Sequence, residues 1–191
     1  MRPELQDLPA GWFHHGEKIL ALVEAHRPRV CVELGTHKGA SAIGLTRLLR
    51  TWGGHLVCVD SWNPVFSGEV GVLAVCAANL QAAGVAPWVR LIVATTAEAA
   101  AAWRDAWIDY LYIDADHSRE GCAADLAAWW PHVRDGGLVA GDDYDNPDSP
   151  GVAEAWDAFE RAHGQTFERF ATPNTAPLGM RLVYGTKRSA A

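Results

Sequence analysis

Ile108-Asp109-Tyr110-Leu111-Tyr112-Ile113 runs into Asp114-Ala115-Asp116-His117, and Gly137-Leu138-Val139-Ala140 runs into Gly141-Asp142-Asp143-Tyr144. Each is a short stretch of apolar β-formers that stops at a cluster of acids. Such stretches suit parallel strands buried on both faces. Open α/β sheets take their ligands at the carboxyl ends of those strands. Carboxylates gathered at one edge repel each other, and their pKa values rise unless a cation sits among them. The pair of runs therefore implies an oxygen-ligand divalent site at the mouth of a nucleotide-type fold.

Outward from this pair, strand and helix patterns alternate. Residues 13–26 carry Phe13, Ile19, Leu20 and Val23 at helical spacing, and Pro28 stops that helix. Strands are expected over 29–34, 55–59, 89–94, 108–113 and 137–140. Helices are expected from about 40 to 50, 69 to 83, 96 to 105, 118 to 130 and 151 to 163. Two further strands, 167–171 and 181–184, are joined by a proline-containing loop. Alternation followed by a terminal pair predicts a Rossmann-like three-layer αβα sandwich with a mostly parallel seven-stranded sheet and a C-terminal antiparallel strand pair. One domain is expected over 1–191, with 1–16 as an arm or lid and 17–185 as the core.

Composition narrows the class. The chain is 49% hydrophobic and 20% charged, as in globular proteins, and its net charge of −7 argues against nucleic acid or an anionic membrane as main partner. Cys31, Cys58, Cys76 and Cys122 form no CxxC pair, so buried free thiols in a reducing compartment are expected. The start of the chain has no apolar signal-like region and no segment nears the ~20 residues of a membrane span. A cytoplasmic location is the expectation.

The first strand leads into Glu33-Leu34-Gly35-Thr36-His37-Lys38-Gly39-Ala40-Ser41. Glycines at a strand-to-helix turn let a ligand approach the backbone, and the following helix points free N–H groups at it. The spacing is neither GxGxxG nor a P-loop. Asp60 ends the next strand, where an acid can accept hydrogen bonds from ribose hydroxyls or cap the turn Asp60-Ser61-Trp62-Asn63-Pro64. Trp62, directly after it, is a candidate wall of an aromatic pocket.

With these motifs the chain resembles class I S-adenosylmethionine-dependent methyltransferases. More narrowly it is similar to small metal-dependent O-methyltransferases of the catechol and sugar or macrolide-sugar types. The resemblance runs from about residue 17 to 185. Its specific parts are Ile113-Asp114-Ala115-Asp116-His117 and Gly136-Gly137-Leu138-Val139-Ala140-Gly141-Asp142-Asp143. It implies that Glu33, Gly35, Thr36, Gly39 and Ser41 line the methionine end of the cofactor, that Asp60 holds its ribose, and that Trp62, Thr95 and Thr96 sit near adenine. Asp114, also counted among the cofactor contacts, would join Asp142 and Asp143 as ligands of Mg²⁺ or another divalent cation. Catechol-type relatives carry Asn at the position of Asp143, so three carboxylates stand closer to the sugar-modifying branch.

The implied chemistry is methyl transfer to a hydroxyl of a small polyhydroxylated acceptor. An alcohol needs activation, which a cation and a nearby base provide together. His117 is the first candidate base and Asp116 the second. The competing reading of His117 is a flank of the helix that Ser118 caps. His14 and His15 read either as part of a lid or as a solvated helix start, the latter preferred. His37 lies in the glycine turn, His132 and His163 at helix ends, and Asp145 and Asp148 in a loop beside the acids. The rival functions are a nucleotide-dependent Rossmann enzyme and a non-catalytic cofactor-binding subunit. A homodimer is a further expectation.

Overall fold

The computed structural model describes residues 2–9, 13–172 and 180–189. Seven strands form one sheet: β1 Val30–Leu34, β2 His55–Asp60, β3 Val89–Val93, β4 Ile108–Ile113, β5 Val133–Tyr144, β6 Glu168–Phe170 and β7 Arg181–Thr186. Their order is β3-β2-β1-β4-β5-β7-β6. The first five run parallel, and β7 enters antiparallel between β5 and β6. The predicted architecture is the observed one. The proline-containing connection before β7 falls mostly outside the described residues.

The helices are α1 Gly16–His26, α2 Ala40–Leu49, α3 Pro64–Ser67, α4 Val72–Ala82, α5 Thr96–Ala102, α6 Arg119–Trp129 and α7 Pro150–His163. Ile19, Leu20 and Val23 of α1, the apolar residues of α2, and Cys76 and Leu80 of α4 pack on one face of the sheet. Ala99 of α5, Leu126 and Trp129 of α6, and Trp156 and Phe159 of α7 pack on the other. Local chemistry sets several ends. Thr95 and Glu98 form a reciprocal capping box on α5, and the Ser118 hydroxyl accepts the Gly121 N–H at the start of α6. Arg27 closes α1 in the left-handed conformation, its N–H donating to the Val23 carbonyl.

Helix α1 starts at Gly16 and α5 ends at Ala102, three residues inside their expected bounds, and two elements differ further from the sequence expectation. The helix expected at 69–83 begins at Val72, because Gly68 and Gly71 both take positive φ and break it from the short α3, which Asn63 caps. Strand β5 spans 133–144 rather than 137–140. A register shift opposite Ile108 and Tyr110 keeps its start paired with β4, and β7 pairs with its end as far as Tyr144. The sheet's open edges are β3, where Arg90 pairs with Asp105 and lies over the Trp103 ring, and the three-residue β6. No helix among the described residues is long and apolar enough to cross a membrane.

One buried acid on α6 permits a stability test. Asp125 is 3% exposed and accepts the Thr96 hydroxyl at Oδ1, while its Oδ2 has no partner. Burial raises its pKa from 3.8 to about 6. A carboxyl raised in the folded state contributes stability that is complete below the unfolded pKa and lost as pH rises through the folded one. The stability difference between Asp125→Asn and the parent should therefore shift in the variant's favour by about 2 kcal/mol from pH 4 to pH 7.5. Urea denaturation across that range checks it, and a difference that does not move with pH defeats it.

Candidate active site

Strand order reverses between β1 and β4, and the loops at their carboxyl ends open the crevice where such sheets bind ligands. The glycine turn after β1 forms one wall. Gly35 has φ +81°, and a Cβ there would lie 2.0 Å from the Asp114 carbonyl oxygen. Only glycine lets this turn rest on the backbone at the end of β4. Gly39 caps α2 in the left-handed conformation without a side-chain partner for the helix N–H groups. Glu33 is fully buried beneath the turn. Its Oε2 accepts from the Thr36 hydroxyl at 2.8 Å and from the Cys58 thiol, and Oε1 has no hydrogen-bond partner. Burial raises its pKa to about 7, with the Ser41 and Thr36 hydroxyls opposing the rise. Ser41 itself is buried in the first turn of α2.

Asp60 turns its carboxylate toward this loop. Oδ2 accepts the N–H groups of Thr36 and His37, and Oδ1 accepts that of Trp62. Trp62 is buried in the left-handed region at φ 44°, its indole N–H donating to the His37 carbonyl. Both residues thus brace the glycine turn, and one lone pair on Oδ1 is left for a further donor. Thr95 and Thr96 lie just past β3. The former is committed to its capping box, and the latter spans to Asp125 by its hydroxyl and to the Trp129 indole by its carbonyl.

At the ends of β4 and β5 the acids divide into two groups. Side chains alternate along a strand, so Tyr110, Tyr112 and Asp114 share the sheet face that carries α1 and α2, and Leu138, Ala140 and Asp142 share it one strand over. Asp142 is accordingly buried. Its Oδ2 accepts the Tyr112 hydroxyl at 2.9 Å, its Oδ1 accepts the Asp143 N–H at 2.9 Å, and the His15 ring nitrogen Nε2 stands 3.4 Å from Oδ1. Burial raises the Asp142 pKa and lowers that of His15. The chain then turns at Asp143, φ 58°, and sends its carboxylate the other way, to the mouth.

There His117 lies between two acids, Nδ1 3.0 Å from Asp143 Oδ2 and Nε2 3.4 Å from Asp114 Oδ1. Ligand atoms of Asp114, His117 and Asp143 all lie within 4.8 Å of one another. Two carboxylates and an imidazole at this separation fit the donor set of a divalent cation that keeps part of its water. Burial raises Asp114 to about 8, and the carboxylates beside His117 raise it to about 9. In this arrangement the protonated ring supplies the positive charge between the acids. Asp143 Oδ1 also accepts from the Asn146 amide, which fixes the second carboxylate of the set.

Of the residues expected in the site, the structure brings Glu33, Gly35, Thr36, Gly39, Ser41, Asp60 and Trp62 to the glycine turn and Asp114, His117 and Asp143 to the mouth. Asp142 sits behind them. Asp116 is folded back on α6, accepting the Ser118 N–H at 2.8 Å, so the second candidate base is occupied as a helix-start acceptor. Asp145 pairs with Arg181. His15 differs from the sequence expectation: it is 0% exposed rather than part of a solvated helix start. Sequence reasoning did not single out Tyr112 as a partner of Asp142. Strand alternation, Tyr112 with Asp114 and Ala140 with Asp142, carried that signal.

Comparison with known proteins is consistent with this geometry. The chain matches the methyltransferase domain family over residues 32–144. It is 32% identical over 138 residues to an uncharacterized protein, y4gI, of Sinorhizobium fredii, and this match takes in 69% of the chain but 15% of y4gI. An O-methyltransferase from Bacillus cereus in complex with SAH superposes with a TM-score of 0.74 at 19% identity, over 95% of this chain and 85% of that one. The O-methyltransferase TomG of Streptomyces achromogenes, involved in tomaymycin synthesis and bound to SAM, gives 0.73 at 21% identity, over 96% and 84%. At these identities the structural matches establish a shared fold.

Proposed function

The chain belongs to the methyltransferase domain family, and from that premise we propose that it moves a methyl group from S-adenosylmethionine to a hydroxyl oxygen of a small polyhydroxylated acceptor, a sugar or glycoside, with a divalent cation at Asp114 and Asp143 beside His117. One observation carries the reading: the glycine turn and the acid site share a wall, because Gly35 rests on the carbonyl of Asp114. A cofactor over the turn and an acceptor at the acids would therefore be neighbours, as an in-line displacement at carbon requires.

The residues fit both groups. Over the turn, the buried and unpartnered Glu33 Oε1 and the free N–H groups of α2 offer an acceptor and donors. When bound, S-adenosylmethionine supplies an electrophilic methyl group, and the divalent cation acidifies and orients the acceptor hydroxyls. Asp114 and Asp143 hold the cation's charge, and Asp142, turned inward to Tyr112, supports Asp143 from behind.

His117 takes the hydroxyl proton on a ring nitrogen. A base must be neutral to do so, and the ring stays protonated as long as it alone balances the two acids. Its role as base thus requires that Asp114 and Asp143 be balanced by another cation. Replacing His117 with alanine should lower turnover by about a hundredfold or more with little change in cofactor affinity. An unchanged rate at every pH transfers the role to Asp116. The carboxylate at Asp143, where catechol-type relatives carry Asn, favours a sugar over a catechol as acceptor.

Calorimetric titration of S-adenosylhomocysteine into the purified chain with Mg²⁺ present tests the cofactor assignment. Micromolar or tighter one-to-one binding is expected. Absence of heat at two temperatures overturns it. A second reading, a cofactor-binding module that serves a larger chain, draws on the 15% share of y4gI that this chain spans. It predicts that the pure chain binds the cofactor yet transfers methyl only with a second polypeptide present.

A further inference from the structure

Of the residues before α1, 2–6 and Phe13 are seated against α1 and α2. A 3-10 turn at Pro3–Leu5 is held by the Arg47 guanidinium, which donates to the carbonyls of Glu4 at 3.1 Å and Gln6 at 2.6 Å. The Arg2 guanidinium bonds Glu24 at 2.8 Å. Leu5 and Phe13 press on two glycines. A Cβ on Gly16 would stand 2.8 Å from Leu5 Cδ2, and one on Gly44 would stand 3.0 Å from the Phe13 ring. Gly44 lies in the interior of α2, where glycine costs about 1 kcal/mol relative to alanine. The helix tolerates this residue where the Phe13 ring needs the space.

What this seat delivers is His15. The ring is wholly buried, and neither nitrogen has a hydrogen-bond partner. Its nearest charged neighbour is Asp142, at 3.4 Å from Nε2. Asp142 in turn receives the Tyr112 hydroxyl on one oxygen and the Asp143 N–H on the other. The next residue makes the left-handed turn that aims a carboxylate at Asp114 and His117.

We propose that His15 is a positioning residue: carried in by the N-terminal segment, it fixes the Asp142 carboxylate together with Tyr112, and so holds Asp143 in the orientation a divalent cation needs. This rests on the reading of Asp114 and Asp143 as a cation site beside His117. A buried polar group behind a ligand restricts where that ligand can point, and changes in such partners typically cost 10–100-fold in metal affinity. Packing alone would make a different demand, since any side chain of similar volume would satisfy it.

Two substitutions in the full chain separate these roles. His15→Leu keeps the volume and removes the polar contact, whereas His15→Gln keeps a side-chain N–H for Asp142. Mn²⁺ binding, followed by the loss of the free-ion paramagnetic resonance signal, should weaken about tenfold in His15→Leu and stay within about threefold of the parent in His15→Gln. S-adenosylhomocysteine affinity should stay within about twofold in both, which shows that the cofactor end is untouched. Equal Mn²⁺ affinity in the parent, His15→Leu and His15→Gln overturns the positioning role while leaving the cation site standing. Equal loss in both variants shows that a side-chain N–H at this position does not preserve the site, and also overturns it. A parent that binds no Mn²⁺ removes the cation site, and this role with it.

Discussion

Asp143→Ala should lose about a thousandfold in methyl transfer while binding S-adenosylhomocysteine as tightly as the parent. Asp143 is the acid that the left-handed turn at the end of β5 sends to the mouth, facing His117 at 3.0 Å. Removing it leaves one carboxylate, Asp114, beside the ring. Cation stabilisation of developing charge is worth several kcal/mol, and each 1.4 kcal/mol is about tenfold in rate. The cofactor turn, more than a hundred residues earlier in sequence, meets this region through Gly35 and Asp114 rather than through Asp143, so its affinity should be preserved. Asp143→Asn should keep part of the activity, because an amide oxygen can still coordinate. Radiolabelled methyl transfer to a panel of sugars and catechols, with and without chelator, provides the measurement. Full turnover by Asp143→Ala in excess chelator eliminates the cation from the mechanism.

Gly35→Ala should be more damaging, to stability as well as binding. The position combines positive φ with a backbone neighbour that cannot move aside: the added methyl would sit 2.0 Å from the Asp114 carbonyl oxygen. Left-handed backbone costs a side chain about 1–2 kcal/mol, and overpacking adds about 1–3. A loss of about 2–5 kcal/mol is expected, on the order of 10 °C in Tm for a chain of this size. Gly53 is the control. It has φ +78° with nothing within 4 Å of a would-be Cβ, so Gly53→Ala reports conformational strain alone. Equal loss in the two variants, with cofactor binding intact in both, removes the idea that the turn and the acid site share a wall.

Much of this was readable before any coordinates. Apolar β-runs and glycine-bounded helices are local signals, and they determined strand order class, layers and the edge where acids gather. The glycine turn, Asp60 and the acids at the ends of β4 and β5 could be located from their positions at strand ends, whereas the roles of Glu33, His117 and the metal-ligating acids came from the resemblance. Two things were not local. Asp142 and Asp143 are identical, buried side chains in adjacent positions, and only the backbone turn at the second decides which meets Tyr112 and which meets His117. His15 lies more than a hundred residues from Asp142 in sequence. A histidine beside another histidine at a helix start carries no mark of burial until the helix is docked on the sheet. The bulged start of β5 and the two glycine breaks before α4 escaped for a related reason, since register shifts and positive φ values depend on what the neighbouring strand or helix allows.

The two borders of the sheet restrict how this protein meets others. A strand with unpaired backbone groups invites another chain to extend the sheet, and natural proteins blunt such borders with charge or brevity. At β3 the Arg90 side chain, paired with Asp105 and stacked on Trp103, stands guard along the border. At the far side β6 offers three residues. Among the described residues, neither gives an incoming strand a long unprotected template. Strand-by-strand growth of the sheet is thereby disfavoured at both borders.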